Sequence, residues 1–212
     1  MAKTESFEKY SEAYDEWFRE HPAQYESELE AIRMLLPPPG VEGFEVGVGS
    51  GKFAEPLGIK IGVEPSEKMA IIAETRGIEV YPGVAEKLPF PDGRFGFVLM
   101  VTTICFVDDI MKSFSEVFRV LRHDGCIIVG FVDKDSKLGV QYENKRDRSR
   151  FYRDATFFSA PEVMKYLEKA GFKDTGIKQT LIPGEPVETI RDGFGEGAFV
   201  VIRGVKNPDI ND

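Results

Sequence analysis

The chain has 212 residues, 42% of them hydrophobic and 30% charged, with a formal net charge of −9. That composition fits one globular domain, or one domain with a small cap, and the acidic balance repels phosphate backbones and argues against nucleic acid as a partner. No apolar run approaches the about 18 residues of a membrane span, and Met1-Ala2-Lys3-Thr4-Glu5 lacks a signal-peptide core, so a cytoplasmic protein that stays out of the membrane is expected.

The chain opens in helical register. Phe7, Tyr10, Tyr14 and Trp17 recur at helical spacing, and Tyr25, Leu29, Ile32 and Leu36 do so again after a restart at Pro22. Pro37-Pro38-Pro39-Gly40 then stops the helix. The expected organisation is an N-terminal helical lid over residues 1–40 hinged to one globular unit over residues 41–212.

Phe44–Val46 reads as a buried strand entering a bend in which Gly47, Gly49 and Gly51 alternate. Such a bend lacks Cβ atoms, so backbone can lie against a ligand where a side chain would collide. After a very short crossover, Ile59–Glu64 is a second strand ending on a carboxylate, the place from which Glu64 can accept both hydroxyls of an adenosine ribose. The dinucleotide pattern G-x-G-x-x-G fails, because Lys52 occupies the position of its last glycine, and the phosphate-loop pattern is also absent.

Ser66 can cap a helix carrying Met69, Ile72 and Ala73, with Gly77 ending it. Ile78–Tyr81 is a third strand, and Arg94–Val101 is a fourth, apolar enough to be covered on both faces. A helix from Asp108 to Arg122 places Ile110, Phe114, Val117 and Leu121 on one stripe, and Cys126–Val132 is a fifth strand. Ser159-Ala160-Pro161-Glu162 has capping-box spacing and opens a helix running to Ala170. The last strands, Thr175–Ile182 and Ala198–Arg203, are joined by a segment too short for a crossover helix and should pair antiparallel. The fold class expected is α/β, a doubly wound, seven-stranded, mostly parallel Rossmann-like sheet with an antiparallel C-terminal strand pair.

Four segments in order carry a resemblance. They are Glu45-x-Gly47-x-Gly49-x-Gly51; Val63-Glu64-Pro65-Ser66 with Met69; Gly83 to Asp92 with Ala85, Glu86, Leu88, Pro89 and Phe90; and Arg119-Val120-Leu121 leading to Gly125. From about Glu45 to Arg203 the chain resembles class I S-adenosylmethionine-dependent methyltransferases, in the small-molecule branch that includes ubiquinone-type enzymes. The resemblance implies S-adenosyl-L-methionine as cofactor and a small-molecule methyl acceptor as partner. It implies that the motif beginning at Glu45, with Gly47, Gly49 and Gly51, lines the methionyl tail, and that the N-terminus of the next helix favours its carboxylate. Glu64 would hold the ribose hydroxyls, Pro65 beside it would belong to the cofactor site, Ala85 and Glu86 would meet the adenine edge, and Thr102 would line the pocket near the sulfonium. Met69 would cover the adenine or simply fill the helix core.

The sequence departs from the family where strand four opens with Phe95-Gly96-Phe97 and where Arg122-His123-Asp124-Gly125 replaces the usual turn, both at the end of the sheet away from the ligand. An activated sulfonium methyl needs alignment more than acid–base help, so no catalytic residue is identified; Tyr10, Tyr14 and His21 are the weak candidates. Tyr10, Tyr14 and Trp17 could close over the cofactor or simply pack a helix. No metal site is expected: Asp108, Asp109, Asp133 and Asp135 could hold magnesium, but they read better as a helix cap at Asp108 and solvated loop residues. The basic run Lys145–Arg153 reads as a solvated helix face or as part of a substrate lid, and Cys105 and Cys126 as reduced core residues. Two other functions stay open: a non-catalytic S-adenosylmethionine sensor, and an NAD-dependent dehydrogenase.

Overall fold

The computed structural model describes residues 4–207, so the outer ends of the expected lid and core, residues 1–3 and 208–212, lie outside the described residues. Two helices, α1 (Glu5–Glu20) and α2 (Pro22–Arg33), precede the sheet. Pro22 at the first helical position of α2 sets the restart, because its missing N–H would have no partner there. Helix α1 is kinked at Tyr10, whose φ of −127° and ψ of 31° are not helical.

The rest follows as β1 (Gly43–Val46), β2 (Ile61–Glu64), α3 (Glu67–Thr75), β3 (Glu79–Pro82), β4 (Phe95–Val101), α4 (Ile110–Val120), β5 (Leu121–Val132), α5 (Lys137–Asn144), α6 (Ala160–Lys169), β6 (Phe172–Thr180), β7 (Arg191–Asp192) and β8 (Phe199–Lys206). One eight-stranded sheet has the order β3-β2-β1-β4-β5-β8-β6-β7. Strands β1 to β5 run parallel to one another, while β8 lies between β5 and β6 and is antiparallel to both. The expected seven strands are thus joined by an eighth, the two-residue edge strand β7 paired with Lys178 and Gln179.

Strand β4 is buried along its whole length and feeds two apolar layers alternately. Val98 and Met100 pack with Phe114 and Val117 of α4 and Val163 and Leu167 of α6. Phe97, Leu99 and Val101 face the opposite layer with Leu29 and Ile32 of α2 and Ala73 of α3. The caps follow local chemistry. The Ser66 hydroxyl accepts from the Met69 N–H at 3.4 Å, and Ser159 and Glu162 form a full capping box. No helix among the described residues is long and apolar enough to cross a membrane.

Three expectations need correction. Asp109, not Asp108, caps α4, accepting from Lys112 N–H at 3.0 Å; both aspartate N–H groups donate to Glu86 Oε1, which holds the chain non-helical one residue longer. The segment after Gly51 forms turns over 52–58 rather than a helix, since Pro56 cannot donate the N–H that a continuing helix requires. The basic run is not one helix face: α5 ends at Asn144, Arg146–Arg148 form a short 3-10 turn, and Phe151 and Tyr152 turn inward.

Candidate active site

Strand order reverses between β1 and β4, and a crevice at the carboxyl ends of the strands is where ligands bind in such sheets. Here that crevice is a cavity of about 630 Å³, walled by α1, α2, the ends of β1, β2 and β4, and the segment after α5. Its size falls in the about 300–1,000 Å³ range of small-molecule sites.

The glycine bend is specified by two different demands. Gly47 has φ +67°, and a Cβ there would lie 2.6 Å from the Thr103 side chain, whose hydroxyl donates to the Val46 and Val101 carbonyls. Gly49 has φ +54° and faces the cavity, where a Cβ would meet Met69 Cε at 3.4 Å and Tyr14 Cε1 at 3.9 Å. Gly51 is turned away: a Cβ there would lie 2.5 Å from Ile78 Cδ1 in the core.

Glu64 closes β2 with both carboxylate oxygens held. Oε2 accepts from Gly49 N–H and Oε1 from Ser66 N–H, each at 2.9 Å. The residue is only 8% exposed, and burial pushes its pKa up to about 7 against these stabilising bonds. Glu45 lies behind the bend. Burial raises its carboxyl well above the usual range, the Ala54 N–H opposes this, and Oε2 has no hydrogen-bond partner among the described residues.

Of the residues singled out from sequence, Gly47, Gly49, Glu64, Pro65, Met69, Ala85, Glu86, Thr102, Tyr14 and His21 line the cavity together. Tyr10, Glu45 and Gly51 do not. Tyr10 sits at the kink of α1 under the Arg150 guanidinium, 5.6 Å from its ring centre. Tyr14 is held protonated, because burial and then the Glu45 and Glu64 carboxylates push its phenol well above the usual value. His21 stacks on Trp17 at 4.9 Å, and its Nδ1 lies 3.0 Å from the Trp17 carbonyl oxygen. Thr102 has φ +51°, a costly conformation for a β-branched residue at the wall of a site.

Arg119 fixes the loop that carries Ala85 and Glu86: its guanidinium donates to the Leu88 and Phe90 carbonyls and to Glu116 and Asp92. Asp133 organises its own turn, accepting from Asp135 N–H at 3.0 Å and Ala160 N–H at 3.4 Å. Among the described residues no group of three or more His, Cys, Asp or Glu converges as a metal site would require. Cys105 and Cys126 are both buried.

Helix α1 is fastened to this bend. Asp15 accepts from the Ser50 hydroxyl and from Arg76, which follows α3, and Arg76 also donates to the Ser50 carbonyl. The Tyr25 hydroxyl of α2 donates to the Lys52 carbonyl.

Residues missed in the sequence line the other half of the cavity. They include Glu28, Tyr142 and Phe199, joined by Phe151 and Tyr152 from the run read as a solvated face or part of a substrate lid. Glu28 had a legible signal, a carboxylate three residues after Tyr25 and four before Ile32 on an apolar stripe. Phe151 and Tyr152 were hidden inside a charged run.

The methyltransferase-domain family model matches residues 44–129. An uncharacterized protein of Methanocaldococcus jannaschii is 45% identical over 204 residues, covering 94% of this chain and 98% of its own. A crystal structure from Thermotoga maritima, described as an S-adenosylmethionine-dependent methyltransferase and possible histamine N-methyltransferase, is 49% identical with a TM-score of 0.92, covering 96% of this chain and 100% of that one. A chloroplast 2-methyl-6-phytyl-1,4-hydroquinone methyltransferase of rice is 30% identical over 149 residues, 63% of this chain and 40% of its own length. These similarities displace the dehydrogenase alternative. The chain belongs to the class I S-adenosylmethionine-dependent methyltransferases, and S-adenosylmethionine is its cofactor.

Proposed function

We propose that the protein is a cytoplasmic enzyme that transfers a methyl group from S-adenosylmethionine to a small-molecule acceptor, with the segment up to residue 40 serving as a lid over the rest. The observation that carries this reading is the union of Glu64 with the open face of Gly49 at the wall of one cavity. A carboxylate held in place there can accept ribose hydroxyls, and the bare Gly49 backbone leaves room for the methionyl tail. Met69 would cover the adenine, Ala85 and Glu86 would meet its edge, Pro65 would line the cofactor site beside Glu64, and Thr102 would face the reacting end. Glu45 and Gly51 would act from behind the bend, shaping it.

The cofactor supplies a methyl group already activated by its sulfonium. What remains for this chain is to align the acceptor and keep water out. Tyr14 and Trp17 of α1 line the cavity, and their rings would help to exclude water from the reacting groups. The cavity is of a size for a small acceptor, and beyond the glycine bend its walls combine aromatic rings with several carboxylates.

Calorimetry with S-adenosylmethionine, S-adenosylhomocysteine and NAD tests the cofactor assignment, with binding of the first two and none of NAD expected. Release of S-adenosylhomocysteine across a panel of amines, phenols and acids tests turnover. Tight cofactor binding without turnover on any of them would favour a sensor instead.

A further inference from the structure

We propose that the half of the cavity beneath Glu28 is the acceptor subsite and that it takes a small amine carried on an aromatic or apolar framework, with the Glu28 carboxylate as the group that receives the amine's proton. This rests on the cofactor reading above, since the methyl donor occupies the other half.

The topology separates the two halves. Gly49, Glu64 and Met69 lie on the β1–β2 side of the strand-order reversal, whereas Val132 and Phe199 lie on β5 and β8, across β4. Glu28 projects from α2 into the cavity and is 7% exposed. Its carboxylate has no hydrogen-bond or ion-pair partner among the described residues, and burial alone pushes its pKa up to about 8. A buried carboxylate without a partner costs stability, and a ligand cation is the group that would complete it. Tyr14, Tyr142 and Tyr152 lie close enough to feel its charge. Tyr142 stacks on Tyr152 at 5.2 Å, and Phe151 meets Tyr14 at 5.8 Å, a lining that favours a cation through ring faces.

Charge points the same way. Among the described residues lining the cavity, six carboxylates face a single Lys or Arg. That one, Arg150, is exposed and set over the Tyr10 ring.

The chemistry balances. An ammonium first gives one proton to the Glu28 carboxylate and becomes a neutral amine. The nitrogen lone pair then forms the N–CH3 bond as the methyl–sulfur bond breaks, its electron pair staying on sulfur. The products are a methylated ammonium, neutral S-adenosylhomocysteine and a protonated Glu28, which returns its proton to solvent.

The test compares phenethylamine, tyramine, histamine and tryptamine with the matching alcohols, on wild-type protein and on Glu28→Gln. Calorimetry on protein saturated with S-adenosylhomocysteine should show amines binding and alcohols not, with amine affinity falling about 10- to 100-fold in the variant. Methylation of the amine should fall about 100-fold or more, while S-adenosylhomocysteine affinity stays within about threefold. Alcohols that bind or react as well as the amines, no amine binding at all, or a variant that keeps both amine binding and turnover would each overturn the proposal. Wild-type protein that does not bind S-adenosylhomocysteine would overturn the cofactor reading instead, and this one with it. Should Glu28→Gln fail to fold, the amine–alcohol comparison on wild-type protein still decides.

Discussion

The Glu64 carboxylate and the Gly49 N–H are joined at 2.9 Å, so the end of β2 and the bend after β1 move as one unit. This bond holds the acid at the cavity wall and fixes Gly49, the glycine of the bend at which a Cβ would meet only Met69 and Tyr14 side chains at ordinary contact distance and the Gly47 carbonyl. It links the two features of the sequence on which the cofactor assignment depends.

Glu64→Ala should weaken S-adenosylhomocysteine binding by about 1–3 kcal/mol, as expected for lost hydrogen bonds to a charged group, and titration calorimetry measures it. Affinity equal to the wild type would remove Glu64 from the site.

Gly47→Ala should destabilise the fold by about 2–4 kcal/mol, combining left-handed strain with the Thr103 collision. Denaturant unfolding of the single and double variants separates these contributions. Adding Thr103→Ala should recover the collision part and leave the backbone part, and an absence of any recovery would mean that Thr103 does not crowd this position.

Asp15→Asn removes the charge that Arg76 meets on α1, at side chains only 18% and 17% exposed. The expected result is faster hydrogen exchange across α1, with little change in the sheet, because the sheet core does not depend on this fastening. Exchange in α1 that matches the wild type would show that the helix is held by its aromatic packing alone.

Stability of the ligand-free protein should fall as pH rises from about 5 to about 8. Glu64 and Glu28 have folded pKa values raised to about 7 and about 8 from a reference of 4.5. Over that window the folded state binds more protons than the unfolded chain, so stability present at low pH is lost as each group ionises. Denaturant unfolding of wild type and Glu28→Gln at several pH values reads this directly. The variant should lose part of the slope, most visibly between pH 7 and 8, and parallel curves would refute the Glu28 contribution.

Several elements were legible without coordinates because their causes are local. Ser66 and Ser159 cap helices through residues three positions away, and Gly47 and Gly49 bend the chain through their own backbone freedom. Strand β4 was readable from its continuous apolar run. The cap at Asp109 was not, because a distant carboxylate, Glu86, holds the preceding N–H groups. The inward turn of Phe151 and Tyr152 was equally hidden, since their partners Tyr14 and Tyr142 come from α1 and α5.

By itself the amino-acid order determined the strands, the glycine bend and the acid at the end of β2, since each depends on residues near one another along the chain, and the family resemblance these carry implied the cofactor. Only the tertiary structure decided which glycines line the cavity, that α1 walls it, and that Glu28 lies buried with no hydrogen-bond partner among the described residues. Those features arise where segments far apart in the chain are packed together, and burial, which sets the energy of a carboxylate, exists only after that packing.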